Sequence, residues 1–137
     1  MIKNTRHSGT NYKALKPFLD AVDAAGGHKH FNADGFMDLV IENLQFTDYA
    51  GRVVYFISHY GEQNGDLMAD PGMEIAVDFE AGRITPRTFR NDYMGLYQEV
   101  FKEVNGRWYY SQHLLTDLDA FLWQWLKNID MQGFKAA

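Results

Sequence analysis

Strand-type patterns fill the middle of this chain, and helical patterns lie only at its two ends. Apolar residues recur at three- and four-residue steps in residues 12–25 and again between Leu115 and Ile129, which is typical of amphipathic helices. Residues 36–110 instead carry alternating or wholly apolar runs bounded by turn signals. Such segregation predicts an α+β fold rather than an alternating α/β fold. We expect a single domain over residues 1–137, with an antiparallel sheet of five or six strands and both helices packed on one face.

The predicted strands rest on local patterns of different kinds. Residues 52–60 are apolar on both faces, which is typical of a central strand, whereas Pro86 places its segment at a sheet edge or boundary. Asn105-Gly106 is the strongest short hairpin signal in the chain. The segment before it also fits a helix, because its apolar residues lie four apart, and both alternatives stay open. The predicted strands are residues 36–46, 52–60, 73–80, 83–90, 97–104 and 107–110.

The N-terminal helix has predicted boundaries and one irregularity. Asn11 is placed to cap its first turn, and Gly26-Gly27 is placed to end it. Pro17 either kinks this helix or marks its true first turn. Residues 28–35 then predict a loop, and residues 1–10 predict a flexible N-terminus.

The C-terminal helix is predicted from its wide apolar stripe. Thr116 and Asp119 are expected to form its N-terminal capping pair, and Gly133 is placed to end it. Trp125 lies on the stripe and is predicted to be buried. Trp123 lies off its centre and is expected to be partly exposed.

Composition excludes several classes of protein. The sequence has no cysteine, which excludes disulfide scaffolds, zinc–thiolate sites and cysteine nucleophiles. Its 13 basic and 18 acidic residues give a net charge of −5, which argues against nonspecific binding to nucleic acid or anionic membranes. The N-terminal residues are polar, no secretory signal is visible, and no segment is apolar enough to span a bilayer. We therefore expect a cytoplasmic protein.

The negative charge is concentrated in one segment. Residues 53–82 contain six acidic residues and no Lys or Arg, whereas the rest of the chain is nearly neutral. Asn64-Gly65 and Asp70-Pro71-Gly72 are turn sequences that break any helix here, with Leu67 and Met68 between them to anchor the segment. The pattern predicts an acidic loop followed by the solvent face of a strand.

The first functional hypothesis is a non-enzymatic binding or regulatory module. Its acidic loop and strand face, residues 62–80, would engage a partner, and that partner is expected to be a protein. No cofactor is expected, and an uncovered aromatic sheet face would permit a homodimer. The predicted binding residues are Glu62, Asn64, Asp66, Asp70 and Glu74.

Two alternatives remain open. The first is a metal-dependent enzyme, since oxygen-rich loops suit hard cations; however, the segment does not match an EF-hand. Its ligands or base would be His59, Asp66, Asp70 and Glu74. The second is a nucleic-acid binder through a modest basic patch, with aromatic side chains available for base stacking. That patch would consist of Arg83, Arg87, Arg90 and Arg107.

Histidine pairs add one weaker candidate site. His28-x-His30 could present two imidazoles on one side of an extended segment, yet two ligands are too few for a closed metal site. His59 could pair with Glu62 or Asp66 as a general acid or base, although no nucleophile accompanies it.

Three segments together resemble a known but uncharacterised bacterial family. They are QNGDLMADPGMEIAV, NDYMGLYQEVF and FLWQWLKNIDMQGF, and the resemblance covers residues 40–134. Such reading frames are common on plasmids, phages and conjugative elements. The resemblance implies an accessory role, such as modulating host defence or transfer, and it implies no catalytic residues.

Overall fold

The computed structural model describes residues 4–137, and of Glu62 it describes the backbone only. The fold is α+β, as predicted, with an N-terminal and a C-terminal helix flanking a mostly antiparallel sheet. The helices are α1 (Ser8–Ala24) and α2 (Gln112–Met131). The strands are β1 (His28–Phe31), β2 (Leu39–Thr47), β3 (Val53–Gln63), β4 (Asp66–Asp78), β5 (Arg83–Pro86), β6 (Thr88–Asn91), β7 (Leu96–Glu99), β8 (Phe101–Val104) and β9 (Arg107–Tyr110).

The main sheet is built around two long strands. Its order is β1-β2-β3-β4-β6-β7, with β5 pairing the other end of β4, while β8 and β9 form a separate two-stranded sheet. Strand β3 pairs with both β2 and β4, which confirms the predicted central strand. Strand β5 pairs only with β4 among the described strands, so Pro86 lies at an edge, where its missing N–H costs no ladder hydrogen bond.

Both helices cover the same face of this sheet. Alternate residues of β2, β3 and β4 are buried and pack with the apolar stripes of α1 and α2 in one core. The Tyr55 hydroxyl donates to Asp23 of α1 (2.7 Å), which also joins the sheet to that helix. Trp125 is 5% exposed and Trp123 is half-buried, as predicted. No helix among residues 4–137 is both long and apolar enough to cross a membrane.

Helix α1 begins earlier than predicted. It starts at Ser8, and His7 at its N-cap position makes no side-chain capping bond. Asn11 therefore lies inside the helix, where its side chain is buried and donates to the Asp119 carbonyl (3.4 Å). Pro17 also lies inside α1. Of the ten residues predicted to be flexible, residues 1–3 lie outside the described part, while Thr5 and His7 both bond to Asp119.

Two other predictions need correction. The loop predicted at residues 28–35 begins with β1, which pairs with β2 in register His28↔Glu42. This four-residue strand is too short and too polar to show alternation in the sequence. The N-cap of α2 is Ser111, whose hydroxyl accepts from Leu114 N–H (3.2 Å). Thr116 and Asp119 lie within the helix instead.

The two longest predicted strands after β4 are each interrupted. Residues 83–90 form β5 and β6, with Arg87 between them. Residues 97–104 are extended, not helical, but form β7 and β8 on either side of Val100. The break occurs where Val100 N–H donates to Arg87 while its carbonyl accepts from Ser111, so the chain changes partner there. Asn105 and Gly106 form the predicted hairpin turn, with φ of 52° and 78°.

Candidate partner-binding surface

The acidic segment is a long β-hairpin rather than a loop. Strand β3 continues to Gln63 and β4 begins at Asp66, so Asn64 and Gly65 form the turn, both with positive φ. The predicted turn at Asp70-Pro71-Gly72 lies inside β4, opposite an irregularity in the pairing of β3. Acids at steps of four are thereby spread along an extended strand, because each residue advances the chain by about 3.3 Å.

The inner acids of this hairpin are held by neighbouring side chains. Asp70 accepts a hydrogen bond from the Asn91 amide (2.8 Å). Glu74 forms an ion pair with Arg87 (Nη1 to Oε1, 2.8 Å), in which both side chains are mostly shielded from solvent. These two predicted binding residues therefore also hold β4 to the segment that follows β5.

The outer end of the hairpin is exposed. Asn64 occupies the turn, Asp66 is exposed beside it, and the Leu67 side chain is 72% exposed. The side chain of Glu62, the remaining predicted binding residue, lies outside the described part of the structure. Leu67 was predicted to anchor the segment to the core, but it projects into solvent instead.

A second exposed apolar segment lies beside this tip. After β6, a short 3-10 helix, Asp92–Met94, is fastened to β4 because the Asp92 carboxylate accepts from the Ala69 N–H (2.7 Å). Met94 is 74% exposed and Tyr97 is 56% exposed. Met68 and Tyr97 also border one shallow depression of about 550 Å³. We call this surface the distal patch, consisting of Asp66, Met68, Met94, Leu96 and Tyr97; Leu67 points to the opposite face of β4 from Met68.

Asp92 is the structural link within this surface. Burial works to raise the pKa of its carboxyl, but the Ala69 N–H and the Arg90 guanidinium (Nε to Oδ1, 2.9 Å) outweigh it and hold the pKa below its usual value. The patch is thus built on an ionised Asp92. Residue-pattern reasoning missed Met94 and Tyr97; the signal for them was an apolar, glycine-containing stretch directly after Asn91-Asp92.

The residues of the predicted metal site do not converge. Asp66 and Glu74 lie eight residues apart on one strand, Asp66 exposed beside the turn and Glu74 paired with Arg87. His59 belongs to the helix-covered face, where its ring lies against Trp125 and Phe134. Within residues 4–137, leaving out the Glu62 side chain, no three His, Asp or Glu side chains are grouped to hold a metal ion, and His28 and His30 are no exception.

The basic patch is likewise dispersed. Strand β9, which carries Arg107, pairs with β8 and not with β5 or β6. Arg87 and Arg90 form ion pairs with Glu74 and Asp92, and Arg83 donates to Ser8 in α1 (3.3 Å). Two of the four cations are therefore already neutralised by acids of the same chain.

His59 gives a prediction for stability against pH. Burial lowers its pKa below the usual value, opposed by the Met37 and Asp38 carbonyls and the charge of Asp70. The unfolded chain therefore takes up this proton first, so stability is full above about pH 6.5 and falls as the pH decreases through it. As the pH decreases from neutrality to 5, we expect the melting temperature to fall more steeply in wild type than in His59→Phe.

The matched control is His113→Phe, because the His113 side chain is 91% exposed on α2. It should retain the wild-type dependence of melting temperature on pH between neutrality and pH 5. Equal slopes of melting temperature against pH for wild type and His59→Phe would contradict the prediction.

Comparisons with known proteins match most of the chain to a family. A family model described as Domain of unknown function (DUF6908) matches residues 10–135. No curated protein matches the chain, and no solved structure matches it. The matched range includes all nine strands and nearly all of both helices.

Proposed function

Since the chain belongs to this family of domains of unknown function, we propose its role from its own surface: a non-enzymatic binding or regulatory module that engages a partner protein through the distal patch. The observation that carries the proposal is that Met68, Leu96 and Tyr97 border one depression, with Tyr97 56% exposed and Met94, two residues before Leu96, 74% exposed. Contiguous exposed apolar surface of this kind is typical of interaction sites. Isolated exposed apolar residues would need no such explanation.

The charge around the patch supports a basic partner. The hairpin and its flanks, residues 53–82, contain six acids and no Lys or Arg. Glu74 is neutralised by Arg87, and Asp92 by Arg90, whereas Asp66 lies exposed at the tip. A surface that presents Lys or Arg next to apolar side chains would complement both properties.

The shape supports docking of a folded or helical surface rather than catalysis. The depression beside Met68 and Tyr97 is shallow, and it is bordered by the Arg90–Asp92 pair and Leu96. Apolar side chains and charged groups that border the same depression are compatible with the mixed composition of an interface. The resemblance of residues 63–77, 91–101 and 121–134 to open reading frames of mobile elements supports an accessory role in such an element.

Met94→Asp tests this proposal most directly. Because Met94 is exposed, the substitution should change stability by no more than about 0.5 kcal/mol. Its effect on binding should be about a tenfold loss of affinity, since an apolar anchor is replaced by a second negative charge. Asp66→Lys should weaken the same interaction, and higher salt should weaken it further.

Met131→Asp is the matched control, because Met131 is 75% exposed at the C-terminal end of α2 and does not border the depression. Proteins retained by the wild-type domain from cells of its source should also be retained by Met131→Asp and lost with Met94→Asp. The retained protein is then purified, and its affinity for all three forms is measured by calorimetry. Equal affinities for Met94→Asp and Met131→Asp, or no retained protein at all, would overturn the proposal.

A further inference from the structure

A separate small cleft lies between the sheet and α2, on the helix-covered side of the molecule. It has a volume of about 250 Å³. Pro71 of β4 and His59 of β3 border it on one side, and Phe121, Gln124 and Trp125 border it on the other. This volume is just below the range of about 300–1,000 Å³ that is typical of sites for drug-sized molecules, so its occupant is smaller.

The protonation state of His59 determines what this cleft offers a ligand. The Nδ1 atom lies 3.2 Å from the Met37 carbonyl and 3.3 Å from that of Asp38. Carbonyl oxygens only accept hydrogen bonds, so Nδ1 carries the proton. Burial favours the neutral ring, which leaves Nε2 with a lone pair that can accept a hydrogen bond.

That acceptor has no protein partner among the described side chains. His59 is 8% exposed, and both of its hydrogen bonds involve Nδ1. Nε2 is not fully buried, so a molecule in the cleft that His59 borders can reach it. A ligand or a water molecule in the adjoining cleft would supply the missing donor.

The remaining walls are flat and largely apolar, with amides at the edge, although the buried Nε1 of Trp125 has no hydrogen-bond partner. The Trp125 ring lies 5.6 Å from that of His59, and Phe121, which is 39% exposed, lies 6.0 Å from Trp125. Gln124 donates to Asn128 (3.0 Å) at the solvent side. None of these groups is charged, so they favour an uncharged occupant.

We propose that this cleft binds a small, neutral, planar molecule that bears a hydroxyl or N–H group, which donates to His59 Nε2 while its flat body packs on Trp125 and Phe121. The site is independent of the distal patch, so either proposal can fail alone. An anionic ligand is disfavoured, because its oxygens would face the lone pair of Nε2.

Three probes of similar size test the site: phenol, anisole and benzoate. Phenol has the donor, anisole replaces its hydrogen with a methyl group, and benzoate is an anion. Titrations are followed by the nitrogen and carbon resonances of the His59 ring in the full chain. We expect a saturable change with phenol at millimolar concentration, binding at least about tenfold weaker for anisole, and none for benzoate.

The variant His59→Phe removes the acceptor and should weaken phenol binding about tenfold. Because this variant lacks the His59 ring, its titration is followed by the resonances of Trp125. The control variant His113→Phe should bind phenol as wild type does. Equal binding of phenol and anisole would show an apolar crevice only and overturn the proposal. The absence of any saturable change would do the same. The comparison of phenol with anisole uses the wild-type protein, so it tests the proposal even if His59→Phe does not fold.

Discussion

Asp48→Ala is expected to lower the free energy of unfolding by about 3–5 kcal/mol, because it leaves a buried guanidinium unpaired. The Asp48 side chain is 2% exposed and that of Arg52 is 14% exposed, and their Nη2 and Oδ2 atoms lie 2.6 Å apart. Asp48 also accepts from the backbone N–H groups of Ala50 (3.0 Å) and Arg52 (2.8 Å). One carboxylate therefore supports both the β2–β3 turn and the charge beside it.

The substitution should affect more than this turn. Arg52 also donates to the Thr85 hydroxyl of β5 (2.6 Å), so loss of Asp48 removes the partner that orients this contact. The exposed pair Lys16–Asp20 (2.6 Å) provides the matched control, and Asp20→Ala should change the free energy of unfolding little, because exposed ion pairs contribute little to stability.

Urea unfolding at pH 7 measures both losses. The double substitution Asp48→Ala with Arg52→Met should recover part of the loss, since no buried charge then remains unpaired. Similar losses for Asp48→Ala and Asp20→Ala would refute the assignment of a buried pair.

Local periodicity was enough to predict the fold class. Alternation in residues 73–80 predicts a strand, and within it Met73, Ile75 and Val77 are buried while Phe79 is 37% exposed, because a strand covered by helices on one face alternates. Asn105-Gly106 fixed its hairpin for a similarly local reason, since both residues tolerate positive φ. Strand β1 was missed because it is extended through its pairing with β2. Its four residues, mostly polar, show no local pattern that indicates this pairing.

The candidate surface depended on register, which sequence alone does not define. Asp70 and Glu74, two of the predicted binding residues, contact Asn91 and Arg87 of the same chain. Those contacts form because β4 pairs with β6 at Gly72↔Arg90. A one-residue shift would place different side chains opposite each other. The sequence locates the acids along the chain, whereas their division into paired and exposed groups depends on the fold.

Asp119→Ala is expected to cost about 1.5–3 kcal/mol, the usual range for a lost hydrogen bond to a charged group. Asp119 is 2% exposed on α2, and its carboxylate accepts from the Thr5 hydroxyl and the His7 N–H (2.9 Å). His7 makes no side-chain cap for α1. The carboxylate of α2 thus takes the place of a capping residue at the positive end of the α1 dipole.

A specific pattern of hydrogen exchange distinguishes this role from general loss of packing. In Asp119→Ala, the amides of the first turn of α1 should exchange faster than in wild type. The exchange rates of the β3 and β4 amides should change only by as much as the free energy of unfolding changes. Asp117→Ala, at an exposed position two residues earlier, should leave both sets as in wild type. If Asp119→Ala loosened all elements equally, the carboxylate would be a packing group, and α1 would owe its N-terminal order to the apolar contacts of Leu15 and Leu19.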